Sequence, residues 1–348
     1  MFSILKPFLF SIDPEAAHDL AIKSLKFNPL PDNVFKVEDE EMLNVELLGK
    51  KFPNPVGLAA GFDKSGEAYN SLFKLGFGFV EIGTVTPLQQ FGNQKPRIFR
   101  LEEDSALINR LGFNNDGMET IKNRIRANKK KGILGINIGP NKNTKDQKND
   151  FCLGLNFFFD IADYITVNIS SPNTKGLRDF HDNEKLKDLL IALNKIKKDK
   201  KTNIPLLLKV SPDIKDNYVS EVSDVAMKNN ISAIILANTT NGNRDNLLSL
   251  NKNEEGGLSG QPLQEISTRM IKKFYKKLCG KIPIIGVGGV DSGKSAYEKI
   301  IAGASLLQLY TGFVYKGPLV VKNIKKELID IFKSEGIKNI KEIVGKGV

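Results

Sequence analysis

From about residue 55 onward, short apolar or β-branched runs alternate with longer amphipathic stretches, which restricts the chain to a parallel sheet joined by crossover helices. Eight such runs can be counted: 55–59, 79–83, 133–138, 164–169, 205–210, 233–237, 283–287 and 305–309. Most are apolar throughout, as strands buried on both faces must be, and eight in one series favour a closed (β/α)8 TIM barrel over an open doubly wound sheet. No Gly-x-Gly-x-x-Gly opens the series, which argues against a dinucleotide-binding fold. Each run ends in a polar or glycine-rich cluster, such as Ala-Gly-Phe-Asp-Lys, Asn-Ile-Ser-Ser-Pro-Asn, Lys-Val-Ser-Pro-Asp or Gly-Val-Gly-Gly. Barrel active sites are assembled from the carboxyl ends of the strands, so these clusters should converge on one mouth.

At 348 residues and 41% apolar composition, one large core fits better than several small domains. The expected organisation is an α/β barrel over residues 41–348 preceded by a small helical segment, residues 1–40. In that segment Asp13 is placed to cap a helix with Pro14 at its first position. Ala17, Leu20, Ala21 and Leu25 recur at helical spacing, and Ile4, Leu5, Phe8 and Leu9 give a second apolar face. Such helices either cap the barrel or lie in a membrane interface. No run approaches the roughly 18 apolar residues of a spanning helix, and the start lacks a small-residue cleavage site, so it reads as mature structure.

Cys152 and Cys279 are the only cysteines and His18 and His181 the only histidines, which disfavours a disulfide framework and a metal centre. The formal charge of +11 suggests an anionic partner, but the excess is diffuse and no nucleic-acid motif accompanies it.

Gly286-Val-Gly-Gly289, followed by Asp291 and Ser292, and Tyr310-Thr-Gly312 have the look of a phosphate cradle. Lys64 and Lys209 sit at strand ends, where a lysine can form a Schiff base, hold a phosphate or stabilise a reduced flavin. Position alone leaves open a flavin oxidoreductase, a lysine-dependent sugar-phosphate aldolase or isomerase, and a non-catalytic membrane-binding module. Asn109, Asn114, Asn168, Asn173 and Asn238 in strand-end clusters suit a flat ring bearing carbonyl and amide groups.

Taken in order, six segments resemble the dihydroorotate dehydrogenases across nearly the entire chain. They are Asn-Pro-Val-Gly-Leu-Ala-Ala-Gly-Phe-Asp-Lys (54–64), Glu-Ile-Gly-Thr-Val-Thr-Pro (81–87), Leu-Ile-Asn-Arg-Leu-Gly-Phe-Asn-Asn (107–115), Asn-Ile-Ser-Ser-Pro-Asn-Thr (168–174), Gly-Gly-Leu-Ser-Gly (256–260) and Ile-Ile-Gly-Val-Gly-Gly-Val-Asp-Ser (284–292). The helical segment and the serine in the fourth segment resemble the quinone-using class. The soluble class carries a cysteine as base, and neither cysteine here occupies that place.

The resemblance implies FMN held by Ala60, Gly61, Phe62, Asp63, Lys64, Thr84, Asn137, Asn168, Lys209, Gly260, Gly289, Thr311 and Gly312. It implies that dihydroorotate contacts Lys64, Asn109, Arg110, Leu111, Gly112, Phe113, Asn168, Asn173, Asn238 and Thr239. Ala237 departs from the threonine of close bacterial relatives, so a flavin contact there is expected only through backbone. In the implied mechanism Ser171 removes the C5 proton while hydride leaves C6 for the flavin, giving orotate in pyrimidine biosynthesis. Thr174 serves a water relay, Lys209 stabilises charge on the flavin, and the loop 170–178 can close as a lid. With no cysteine cluster and no dinucleotide fingerprint, a lipid quinone is the natural acceptor, and the resemblance points to His18, Arg100 and Tyr310 beside its tunnel. The expected protein is a monomer, peripheral on the cytoplasmic side of a bacterial inner membrane, or on the mitochondrial inner membrane in a eukaryote.

Overall fold

A computed structural model of the chain describes residues 2–27, 32–35, 37, 40–174, 176–242 and 244–348. The expected boundary of the helical segment at residue 40 therefore follows a stretch partly outside the described residues. Two helices come first, α1 (Phe2–Ser11) and α2 (Pro14–Lys26), then a hairpin of β1 (Val45–Leu47) and β2 (Lys50–Phe52). The series continues with β3 (Val56–Leu58), α3 (Tyr69–Lys74), β4 (Phe79–Val85), β5 (Ile98–Leu101), β6 (Ala106–Asn109) and α4 (Met118–Ala127). Next come β7 (Ile133–Ile138), α5 (Gln147–Phe158), β8 (Tyr164–Asn168), α6 (Asn183–Asp199), β9 (Leu206–Val210) and α7 (Asp216–Lys228). Last are β10 (Ala233–Leu236), β11 (Gly257–Gly260), α8 (Leu263–Leu278), β12 (Ile284–Val287), α9 (Gly293–Ile301), β13 (Ala304–Leu309), α10 (Thr311–Lys316) and α11 (Val320–Ser334).

The expected barrel is present. Strands β3, β4, β7, β8, β9, β10, β12 and β13 close in that order, every neighbouring pair parallel. Their Val, Ile and Leu residues are buried almost without exception, because the helices cover one face and the barrel interior the other. At the amino-terminal end the lumen is plugged by aromatic rings. A Cβ on Gly57 would lie 2.3 Å from Phe79 Cζ, and one on Gly135 would lie 2.1 Å from Tyr164 Cζ. Phe52 of the hairpin packs edge-on against Phe79, with ring centroids 5.3 Å apart. That end is therefore sealed, and chemistry is left to the other.

Over the open end lies a three-stranded antiparallel sheet, β11-β6-β5, with its own small core of Leu101, Ala106, Ile108, Leu247 and Leu258. Its register pairs Asn109 with Gly257 and Ala106 with Gly260.

The two leading helices dock beside this mouth. Asp13 caps α2 as expected, its carboxylate accepting the N–H groups of Glu15 (3.0 Å) and Ala16 (2.9 Å). Arg100 on β5 caps the other helix: its guanidinium donates to the carbonyls of Leu9, Phe10 and Ile12 at 2.8–3.1 Å, satisfying orphaned groups at the end of α1. Among the described residues no helix is long and apolar enough to cross a membrane, and no cluster of metal-ligating side chains occurs.

Candidate active site

The carboxyl ends of the strands surround one cavity, about 1120 Å³ of space between atoms including its mouth. One wall is backbone: Gly260 ends β11, Gly288 and Gly289 follow β12, and Thr311 and Gly312 begin α10. Gly260 (φ +102°) and Gly289 (φ +73°) tolerate no side chain, since a Cβ would lie 2.4 Å from the Ser105 carbonyl oxygen in the first case and 2.4 Å from Gln264 Cβ in the second. Asp291 and Ser292, grouped with this cradle on sequence, serve neighbouring elements instead. Ser292 forms a capping box with Ser295 at the start of α9, and Asp291 pairs with Lys316 at 3.0 Å.

Lys64 and Lys209 both line the cavity. Burial pushes the Lys64 ammonium down to about 8 and lowers Lys209 too, with Glu81 pulling Lys209 partly back. Among the described residues neither ammonium has a hydrogen-bond or ion-pair partner.

Facing them is a chain of amides rooted in Glu81, a fully buried carboxylate on β4. Glu81 accepts from Asn137 Nδ2 (2.8 Å), Tyr164 OH (3.2 Å), Thr166 Oγ1 (3.0 Å) and Gln308 Nε2 (3.0 Å). Four donors from three strands satisfy the carboxylate and lock its neighbours in orientation. Thr84 Oγ1 donates to Asn137 Oδ1 (2.7 Å) and accepts from Asn168 Nδ2 (3.0 Å). Asn168 Oδ1 then accepts Ser170 Oγ (2.8 Å), which in turn accepts Asn238 Nδ2 (2.8 Å). Asn173 Nδ2 donates to the Asn109 carbonyl (3.1 Å), tying the loop after β8 to the covering sheet.

Ser171 is buried in the same cavity, and its Oγ accepts the Asn173 N–H at 3.2 Å. Arg178 holds the loop from behind. Its Nε donates to the Ser170 carbonyl (3.2 Å), Nη2 to the Thr239 carbonyl (3.4 Å), and Nη1 pairs with Asp213 (3.1 Å).

Most of the residues chosen on sequence meet in this cavity: Ala60, Gly61, Lys64, Thr84, Asn109, Leu111, Gly112, Phe113, Asn168, Ser171, Asn173, Lys209, Asn238, Thr239, Gly260, Gly289, Tyr310, Thr311 and Gly312. Others stand outside its lining. Arg110, one residue past β6, turns away to Glu254 (2.9 Å) and stacks over Phe99, because successive residues of extended chain point to opposite faces and Asn109 takes the inward one. Asn137 sits behind Thr84, Asp63 caps the N–H groups of Glu67 (2.7 Å) and Ala68 (2.8 Å), and Thr174 is buried beyond the wall. Arg100 is engaged with α1. Phe62 forms a bridge: its ring lies 5.0 Å from His18 on α2 and 5.7 Å from Tyr310 at the cavity, both edge-on. Burial, reinforced by the Lys64 charge, pushes His18 down to about 3, so it is neutral at physiological pH. Ala237, set aside on sequence, does line the cavity, as do Ile98 and Leu107 of the covering sheet.

Residues 42–332 match the family described as Dihydroorotate dehydrogenase. The chain belongs to the dihydroorotate dehydrogenase family. A Bartonella tribocorum relative named dihydroorotate dehydrogenase (quinone) is 48% identical over 338 residues, 96% of this chain and 93% of that protein. The mitochondrial enzyme of that name from Mus musculus is 44% identical over 96% of this chain and 87% of its own length. A crystal structure of the Eimeria tenella enzyme in complex with ferulenol superposes with a TM-score of 0.91 at 38% identity, covering 96% of this chain and 95% of that one. The resemblance read from the six segments is borne out, and dihydroorotate dehydrogenase membership removes the aldolase and non-catalytic alternatives.

Proposed function

We infer that this flavin-dependent oxidoreductase oxidises dihydroorotate to orotate in pyrimidine biosynthesis and passes the electrons to a quinone. One observation carries the reading: a glycine-walled pocket, two lysines without a partner among the described residues, an amide-lined wall and Ser171 all share one cavity. FMN is the cofactor of this family, and the residues fit it. Gly260, Gly289, Thr311 and Gly312 would hold the phosphate. Ala60, Gly61, Thr84, Asn168 and Lys209 would hold the ring system, with Asn137 orienting Thr84 and with Phe62 and Asp63 shaping the strand end. When bound, FMN supplies a hydride acceptor on the substrate side and a two-electron donor to quinone.

The chain's own residues do the rest. Lys64, Asn109, Asn168, Asn173 and Asn238 bind the ring and carboxylate of dihydroorotate, with Leu111 to Phe113 and Thr239 completing the walls. Arg110 acts at the rim through Glu254. Ser171 Oγ takes the C5 proton. The Asn173 N–H already directed at this oxygen stabilises the negative charge that develops as the hydroxyl gives up its own proton. Thr174, two residues beyond Asn173's neighbour Pro172, is the outlet for that proton. Arg178 keeps the loop seated, so that water is excluded while the bond breaks.

His18, Phe62 and Tyr310 form the aromatic route from α2 to the cavity along which quinone approaches, with Arg100 fixing α1 beside it. Residues 1–40 act as a unit separate from the barrel, residues 41–348, and bind the membrane surface. Ile4 (80% exposed), Phe8 (63%) and Phe27 (83%) support this, together with Phe91 (83%) on the neighbouring loop. The protein is a peripheral monomer on the cytoplasmic side of the inner membrane, or on the mitochondrial inner membrane if eukaryotic. The test is turnover: purified full-length chain supplied with FMN should form orotate from dihydroorotate beyond one equivalent per flavin, under anaerobic conditions, only when a quinone analogue is present. Failure to form orotate under those conditions would overturn the reading.

A further inference from the structure

Lys299 on α9 is fully buried, yet among the described residues no carboxylate touches it. Its Nζ donates to three neutral oxygens in the first turns of α8: Ser267 Oγ, Thr268 Oγ1 at 3.0 Å and the Gln264 carbonyl at 3.3 Å. The neighbouring Glu298, whose charge partly offsets the burial, is itself held by Gln264 Nε2 at 2.7 Å. Burial pushes the ammonium down to about 7, the mark of a cation short of counter-charge. The relay continues toward the active site. Ser267 Oγ lies 3.1 Å from the Gly288 carbonyl, positioned to donate to it, and Gly288 and Gly289 line the cavity. The Gly288 carbonyl and the Gly289 N–H belong to one peptide, and in a trans peptide the two point in opposite directions. A carbonyl fixed on Ser267 therefore fixes the direction of the Gly289 N–H, and polarising the carbonyl strengthens that N–H as a donor.

We propose that Lys299 is a positioning residue of the phosphate cradle, holding the Gly288–Gly289 peptide through Ser267 and supplying the positive charge that makes the site prefer a phosphorylated flavin to its unphosphorylated form. The proposal rests on the FMN reading. A phosphate at the glycine loop provides the counter-charge that the buried ammonium lacks.

The test is a flavin-fluorescence titration of the full-length chain with FMN and, separately, with riboflavin. Lys299→Met should weaken FMN by about ten-fold or more while leaving riboflavin nearly unchanged, and Lys299→Arg should recover part of the loss. Riboflavin binding doubles as the check that the variant is folded. If Lys299→Met is too unstable to titrate, Ser267→Ala, which cuts the relay and leaves the ammonium in place, carries the same expectation. An unchanged ratio of FMN to riboflavin affinity in whichever variant is titrated overturns the role of Lys299 while leaving the FMN reading intact. A wild-type chain that binds neither flavin overturns both.

Discussion

Glu15 of α2 and Arg97, just ahead of β5, form a two-point ion pair with N···O distances of 3.0 and 2.6 Å, both side chains nearly buried. Arg97 Nη1 also donates to the carbonyls of Phe91 (2.5 Å) and Asn93 (2.7 Å), so one guanidinium ties α2 to the mouth of the barrel. Removing one partner of a buried pair strands the other, at about 3–5 kcal/mol. Arg97→Leu should therefore lower the melting temperature. It should also slow reoxidation by quinone more than reduction by dihydroorotate, because His18 rides on the same helix. Burial raises the Glu15 pKa, but the Arg97 hydrogen bond and charge, with help from Lys95, outweigh it and leave a net lowering. With the folded value below the ordinary 4.5, the stabilisation is complete above that pH and fades as pH falls through the folded value. Thermal melts between pH 3 and 7 read both effects.

Lys64 gives a second pH dependence. Burial holds its pKa at about 8, so the charged form that binds a carboxylate dominates below that value and declines above it. Dihydroorotate affinity should fall as pH rises from 7 to 9, measured by titrating the flavin absorbance change. In Lys64→Met the affinity should be weaker throughout and flat over the same range.

Ser171→Ala should retain FMN yet lose about 10²- to 10⁴-fold in the rate of flavin reduction, the usual contribution of a positioned base. Stopped-flow absorbance separates the two quantities. An undiminished rate would remove Ser171 from proton transfer.

The exposed Phe8 and Ile4 define the membrane prediction. The double substitution Ile4→Asp and Phe8→Asp should reduce co-sedimentation with anionic liposomes by at least about ten-fold. It should raise KM for a long-tailed quinone and leave a short-tailed analogue nearly unaffected. Neither side chain touches the cavity, so dihydroorotate reduction of the flavin should be unchanged.

The barrel was legible because burial on both faces leaves strands apolar end to end, so a run such as 133–138 stands out and coincides with β7. The site was legible as far as strand ends carry it. What the sequence hid is pairing across long separations. β5 and β6 lie outside the barrel series, and β6 pairs with β11 some 150 residues away, so nothing local announces that Ile98 and Leu107 reach the cavity. Side-chain direction was also hidden: the segment 107–115 names both Asn109 and Arg110, but only one can face inward. Glu81 does carry a local signal, an acid inside a mostly apolar strand, where a buried charge demands several donors.

The most direct test of the central claim is the visible spectrum of the purified, FMN-supplied chain mixed anaerobically with dihydroorotate and then with a quinone analogue. The oxidised flavin band should bleach on the first addition and return on the second. A chain that holds no flavin, or a bound flavin whose band dihydroorotate leaves untouched, would contradict it.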